Sequence, residues 1–233
     1  NANIFPNVTA DANTFLFTRN AQVKDGNGVV RQTQEDFFIS YKGDDGKWSV
    51  AQNMGSPINT AANEGAPSLS ADGRYLYFAA CEEYNGYGGG RQGFGSCDIF
   101  FTQKVNAVWT APVNVGAPVN TSAWESQPSF SSDGKTLYYI SNRRDGYGSS
   151  DIWMCSLDEL GKWGKPTNLG THINTAGKEE AVFIHPDNQT LYFASDGLIG
   201  MGGLDLYICR RDSLGNWGNP VNLGYPINTY EDE

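Results

Sequence analysis

"WGKPTNLGTHINT" (Trp163–Thr175) returns 54 positions later as "WGNPVNLGYPINT" (Trp217–Thr229). Looser versions precede both: "WTAPVNVGAPVNT" (Trp109–Thr121) and "WSVAQNMGSPINT" (Trp48–Thr60). Self-similarity at a fixed spacing is the signature of a repeat architecture, so these four copies decide the fold before any local motif is weighed. The leading tryptophans stand 61, 54 and 54 residues apart.

Working outward, each copy closes a longer unit of constant order. The third unit reads "PSFSSDGKTLYYIS" (128–141), the loop "NRRDGYGSS", "DIWMCSLDELGK" from Asp151, and then the Trp segment. The second has "PSLSADGRYLYFAA", the Gly-rich loop "CEEYNGYGGGRQGFGSC" and "DIFFTQK"; the fourth has "VFIHPDNQTLYFAS", "DGLIGMGGL" and "DLYICRRDSLGN". The first is the most divergent, with "PNVTADANTFLFTR", a loop expected to run to Glu35, and "DFFISYKGDDGK".

Within a unit the pattern predicts four short strands. Asp72-Gly73, Asp133-Gly134 and Asp187-Asn188 lie between two apolar runs and suit the positive φ of a tight hairpin turn. The second run (Leu76-Tyr77-Phe78, Leu137-Tyr138-Tyr139, Leu191-Tyr192-Phe193) is apolar on consecutive positions, which predicts burial on both faces of a sheet. The third strand opens at Asp36, Asp98, Asp151 or Asp205, and the fourth carries Pro112, Pro166 or Pro220 and reads as an edge. No segment shows a capped helical period. Tandem four-stranded antiparallel units with one polar edge predict an all-β chain, a β-propeller. The repeats run over about 3–60, 61–121, 122–175 and 176–229, with 230–233 opening a further blade; the expectation is four blades of a larger propeller. The thirteen-residue segment then reads as scaffold, carrying the chain from the outer edge of one blade to the inner strand of the next.

"PSFSSDGKTLYYISNRRDGYGSSDIW" resembles the WD-like repeat of TolB-type propellers, whose pattern is Pro-x-x-Ser-x-Asp-Gly-x-x-Leu-x-Phe-x-Ser followed by Asp-Ile-Trp. The added Trp linker resembles that of Bacteroidota outer-membrane proteins of the OmpA-associated type, which include components of type IX secretion. The resemblance spans the whole chain. It implies a propeller with a periplasmic or outer-membrane setting, protein partners in the cell envelope, and a link to peptidoglycan through other domains. It is specific for fold and much less so for function, because one scaffold hosts many activities.

Charge narrows the partners. Sixteen basic against 26 acidic residues give a net charge of −10, which repels a polyanion and argues against nucleic acid. No apolar run reaches the roughly 20 residues of a membrane-spanning helix. Cys81 and Cys97 bound one loop at facing strand ends, where a disulfide is the expectation and two free thiols the alternative; a disulfide favours an oxidising compartment. Cys155 and Cys209 occupy a column that reads Ser40 and Thr102 in the other copies, and so read as small buried thiols.

Candidate binding residues fall at the end where linkers and second-to-third-strand loops emerge together. One set is acidic: Glu64, Glu125, Glu179 and Glu233, with Asn3 in the first copy. These either ring a channel and take a cation or basic segment, or cap the linker amides of their own blade; the cap is preferred. The other set is Tyr87, Arg91, Phe94, Arg143, Arg144 and Tyr147 on the Gly-rich loops, the residue types of a contact surface. The strand-opening aspartates read as local hydrogen-bond acceptors. His172 and His185 neighbour no nucleophile motif or second metal ligand, so no metal, cofactor or catalytic residue is expected. The competing expectation is a propeller module of an enzyme, gating a peptidase or acting on glycans.

Overall fold

A computed structural model describes residues 2–9, 11–24, 26–83 and 86–232. Among them there is no helix, and the chain is all-β, folding as four antiparallel blades of the β-propeller class. It divides into two compact units, 1–116 and 117–233, each holding two blades.

In the first unit, blade 1 is β1 (Ala2–Val8), β2 (Thr14–Lys24), β3 (Val30–Tyr41) and β4 (Gln52–Asn53) in spatial order. Blade 2 is β5 (Glu64–Leu69), β6 (Tyr75–Cys81) and β7 (Cys97–Val105), whose outer side pairs with both β8 (Val108–Trp109) and β9 (Val113–Asn114). In the second unit, blade 3 is β10 (Glu125–Phe130), β11 (Thr136–Ser141), β12 (Asp151–Ser156) and β13 (Thr167–Asn168). Blade 4 is β14 (Glu179–Ile184), β15 (Thr190–Ser195), β16 (Asp205–Arg210) and β17 (Val221–Asn222). The innermost turns have the positive φ expected of them, at Gly73, Gly134 and Asn188. Three of the four outermost strands begin right after Pro112, Pro166 or Pro220, where the missing N–H costs no ladder bond.

One expectation fails in blade 1. The loop to Glu35 is a long hairpin instead: β2 and β3 stay in register from Thr14↔Tyr41 to Val23↔Gln32. The turn between them lies at residues 26–29, where Gly28 has φ 78°.

The cores lie between neighbouring blades. In the first unit Leu16, Phe37 and Ile39 of blade 1 pack with Leu69, Leu76, Phe78 and Phe100 of blade 2. In the second, Tyr138, Ile140 and Ile152 of blade 3 pack with Val182, Leu191, Phe193 and Tyr207 of blade 4. Consecutive apolar residues on β11 are therefore all buried, as two-faced burial requires.

The linker earns its repetition here. Ile58 and Ile173 are fully buried in these cores, each contributing about 1.5–3 kcal/mol. The next residue, asparagine, replaces a missing strand. Asn59 accepts from Phe37 N and donates to Phe37 O, and Asn174 and Asn228 do the same for Ile152 and Leu206, all at 2.8–2.9 Å. The three carbonyls also accept from Met54 N, Leu169 N and Leu223 N at the end of the outer strand, so it is the N–H of each pair whose bond depends on the asparagine.

Candidate functional site

The threonine ending each of the first three linkers meets the glutamate that opens the next blade. Glu64 accepts from Thr60 N at 3.0 Å and Thr60 Oγ1 at 2.6 Å. Glu125 takes the same pair from Thr121 at 2.7 and 2.8 Å, and Glu179 from Thr175 at 3.1 and 2.9 Å. All three carboxylates are fully buried. They close their own linkers, and among the described residues no group of three or more His, Cys, Asp or Glu is placed to hold a metal. Glu233 lies outside the described residues, as does the side chain of Asn3.

Two of the three loop arginines, Arg91 and Arg143, do not project. Arg91 runs inward, its Nη1 2.7 Å from Glu64, Nη2 donating to Pro57 O and Ile58 O, and its guanidinium over the rings of Phe78 and Phe100. Arg143 does likewise with Glu125 at 3.4 Å, Val119 O at 2.6 Å, and the rings of Tyr139 and Trp153. Their side chains are 4% and 9% exposed. Tyr87 is buried too, donating to Gly95 O inside its own loop. The sequence expectation that these three side chains reach out from the loops is thus corrected: a buried carboxylate draws Arg91 and Arg143 inward, and Tyr87 is held by its own loop.

Blade 4 departs from this pattern. Gly197 donates to Ser195 Oγ at 3.2 Å as Arg143 does to Ser141 Oγ, so glycine occupies the arginine position. Leu198, the next residue, packs against the apolar cluster that holds Phe193 and Tyr207. Glu179 keeps Ser195 Oγ at 2.8 Å but has no basic side chain within 4.0 Å among the described residues. Burial pushes its carboxyl above the ordinary range, against the lowering effect of Ser195 and Thr175. Burial likewise raises Glu64, even with Arg91 beside it.

The strand-opening aspartates hold the loops. Asp98 accepts from Phe94 N at 2.7 Å and from Asn114 Nδ2 at 2.7 Å; Asp151 accepts from Tyr147 N at 2.5 Å and Asn168 Nδ2 at 3.2 Å. Asp205 accepts from Met201 N at 2.5 Å. The residue four positions before each aspartate is thereby fixed at the loop tip, and it is Phe94, Tyr147 or Met201, exposed by 55%, 56% and 51%. Arg144 is exposed beside Tyr147. Sequence reading found Phe94, Arg144 and Tyr147 but missed Met201 and its neighbour Ile199, which is almost fully exposed. The available signal was the column, counted back from the aspartate.

Cys81 and Cys97 are joined by a disulfide across the mouth of the blade 2 loop, while Cys155 and Cys209 are free and buried. Burial raises those two thiols to about 11 and about 12.

No protein-family model and no curated protein sequence matches the chain. Solved structures do match it in fold. The chain is similar to TolB from Acinetobacter baumannii, with a TM-score of 0.59 and 13% identity over 98% of this chain and 45% of that one. A putative TolB from Agrobacterium tumefaciens gives 0.52 and 15% over 99% and 85%. Xyloglucan PUL GH43B of Bacteroides ovatus gives 0.54 and 18% over 97% and 41%. The chain therefore spans less than half the length of two of these three, and the likeness is one of fold.

Proposed function

We propose that this chain is a non-catalytic, protein-binding and scaffolding propeller region of a cell-envelope protein, on the periplasmic or outer-membrane side. One observation carries this reading. The polar side chains that recur from blade to blade are consumed inside the blades by linker and loop backbone, whereas the loop tips display aromatic and apolar side chains. Such side chains are enriched at protein-contact surfaces. The Cys81–Cys97 disulfide supports an oxidising compartment. The finer assignment, to OmpA-associated proteins of type IX secretion with peptidoglycan reached through other domains, rests on the resemblance of the Trp linker.

A second reading, a propeller module of a glycan-active or peptidase-gating enzyme, draws on the fold likeness to Xyloglucan PUL GH43B. A photo-crosslinker placed at Tyr147 of the full-length protein in its native cells separates the two. The expected result is a discrete adduct with an envelope protein that is absent when the crosslinker is placed at Leu160. Turnover of peptide or glycan substrates by the purified full-length protein, abolished by replacing one carboxylate of this chain, would establish the enzyme reading instead.

A further inference from the structure

The loop end of the second unit carries more exposed apolar surface than its scaffold needs. Tyr147, Ile199, Met201 and Tyr230 are exposed by 56%, 96%, 51% and 82%. Single exposed apolar residues are ordinary, so the question is whether these four belong to one surface. The backbone says that they do. The loop of Tyr147 lies on the third linker: Ser149 donates to Gly177 O at 2.8 Å, and a Cβ on Gly148 would sit 2.4 Å from the carbonyls of Thr175 and Gly177. That linker lies on the blade 4 loop, where Lys178 N donates to Asp196 Oδ1 at 2.6 Å and Gly197 admits no Cβ against Thr175. The same loop then lies on the segment bearing Tyr230, since a Cβ on Gly202 would sit 2.5 Å from Glu231 O, and Leu204 N donates to Asp232 Oδ1 at 2.9 Å.

The contacts are too close for any residue but glycine at several points, so the loops hold their tips at fixed spacing. Tyr147 and Met201 are further fixed by the backbone bonds to Asp151 and Asp205. Ordering of this kind lowers the entropic cost of binding.

The rim has a sign. Asp145, Asp196, Glu231 and Asp232 are exposed along it, and two of these carboxylates are oriented by backbone donors. Against them stand Arg144 and Lys178, the latter already 3.5 Å from Glu180. Opposite charges across a contact steer encounter and reject wrong partners.

We infer that this end of the second unit is a docking surface for a protein segment whose apolar side chains are flanked by lysine or arginine. Tyr147, Ile199, Met201 and Tyr230 take the apolar groups, and the acidic rim takes the flanking cations. The inference rests on the protein-binding reading above and names the chemistry of the partner.

Three immobilised peptides of equal length test it with the full chain: one alternating Lys with Leu and Phe, one with Glu in place of Lys, and one with Ser in place of Leu and Phe. The basic apolar peptide is expected to bind at least about tenfold more tightly than either other. The variant Tyr147→Ser/Met201→Ser/Tyr230→Ser is expected to lose about tenfold or more of that affinity at an unchanged unfolding midpoint. Leu160→Ser/Leu214→Ser, which removes two exposed apolar residues from turns at the other end of the blades, should leave it unaltered. Equal binding of the acidic apolar or the basic polar peptide, or no binding at all, overturns the inferred chemistry. Loss of binding in the Leu160/Leu214 variant overturns the inferred face. Neither result touches the crosslinking outcome that decides the protein-binding reading itself.

Discussion

Arg143 and Glu125 form a pair that solvent barely reaches, with Nη2 3.4 Å from Oε1 and the guanidinium 4.8 Å from the ring centroid of Trp153. Removing one member of a buried ion pair strands the other charge, which costs about 3–5 kcal/mol. Glu125→Ala is expected to be destabilised by that amount in urea unfolding. Arg143→Ala also frees Val119 O and uncovers two rings, and should fall at the upper end. A change below about 1 kcal/mol in both variants would show that the pair is solvated in solution.

Glu179 should respond in the opposite direction. Its folded carboxyl is raised above the ordinary 4.5 by burial, with Asp151 adding to the rise, and no arginine offsets this. A raised folded value means that the favourable contribution is fully present below the unfolded value and is lost as pH rises through the folded one. Glu179→Gln removes that loss. The variant is expected to match or exceed the parent in unfolding midpoint at neutral pH, with the difference closing towards pH about 4. Scanning calorimetry across this interval checks it, and a parent more stable than the variant at neutral pH would refute it.

Asn174 holds both backbone groups of Ile152 at 2.8 and 2.9 Å. Alanine there leaves the buried Ile152 N–H without a partner, at a cost of about 1–3 kcal/mol, while Ile152 O keeps its bond from Leu169 N at 3.2 Å. Asn174→Ala should therefore unfold at lower urea, and Asn174→Asp, which keeps the acceptor but turns a second buried oxygen toward Ile152 O and Asn168 Oδ1, should unfold at least as early. Hydrogen exchange at the Ile152 amide is the local readout, and it should accelerate in the alanine variant alone.

The disulfide closes a separation of 16 residues, for which loop entropy gives about 3 kcal/mol. Cys81→Ser/Cys97→Ser should be destabilised to that extent. In the native parent, iodoacetamide should leave Cys155 and Cys209 unmodified at pH 8, because both are buried and their thiols lie at about 11 and about 12. Rapid native alkylation of either would place it at the surface and contradict the strand register Leu137↔Cys155 or Leu191↔Cys209.

Blade number within the chain, strand order and the innermost turns were legible in the residues, because a repeated unit shows its apolar runs and its glycine turns four times over. The role of the linker was legible only in part. Its repetition marked it as scaffold, but which atom Asn174 closes depends on a strand 22 residues away. The blade 1 hairpin escaped detection because its return strand, through "RQTQE", is polar on consecutive positions and carries no strand period, while its pairing with "NAQVK" is made by the backbone.

Side-chain direction was decided by tertiary structure alone. Arg143 and Arg144 are adjacent in sequence and identical in type, yet one is buried on Glu125 and the other is exposed. Local sequence determines where along a loop an arginine stands; a buried carboxylate 18 residues away determines which of the two turns inward. For the same reason the exposed residues of the loop end proved to be Tyr147 and Met201, fixed by aspartates that open the following strand, and not the arginines whose charge first marked the loop. Composition and period dictate the blades, because burial of repeated apolar runs is a local pattern. The surface that remains is set by which polar groups the assembled blades consume, and that pairing exists only once distant segments meet.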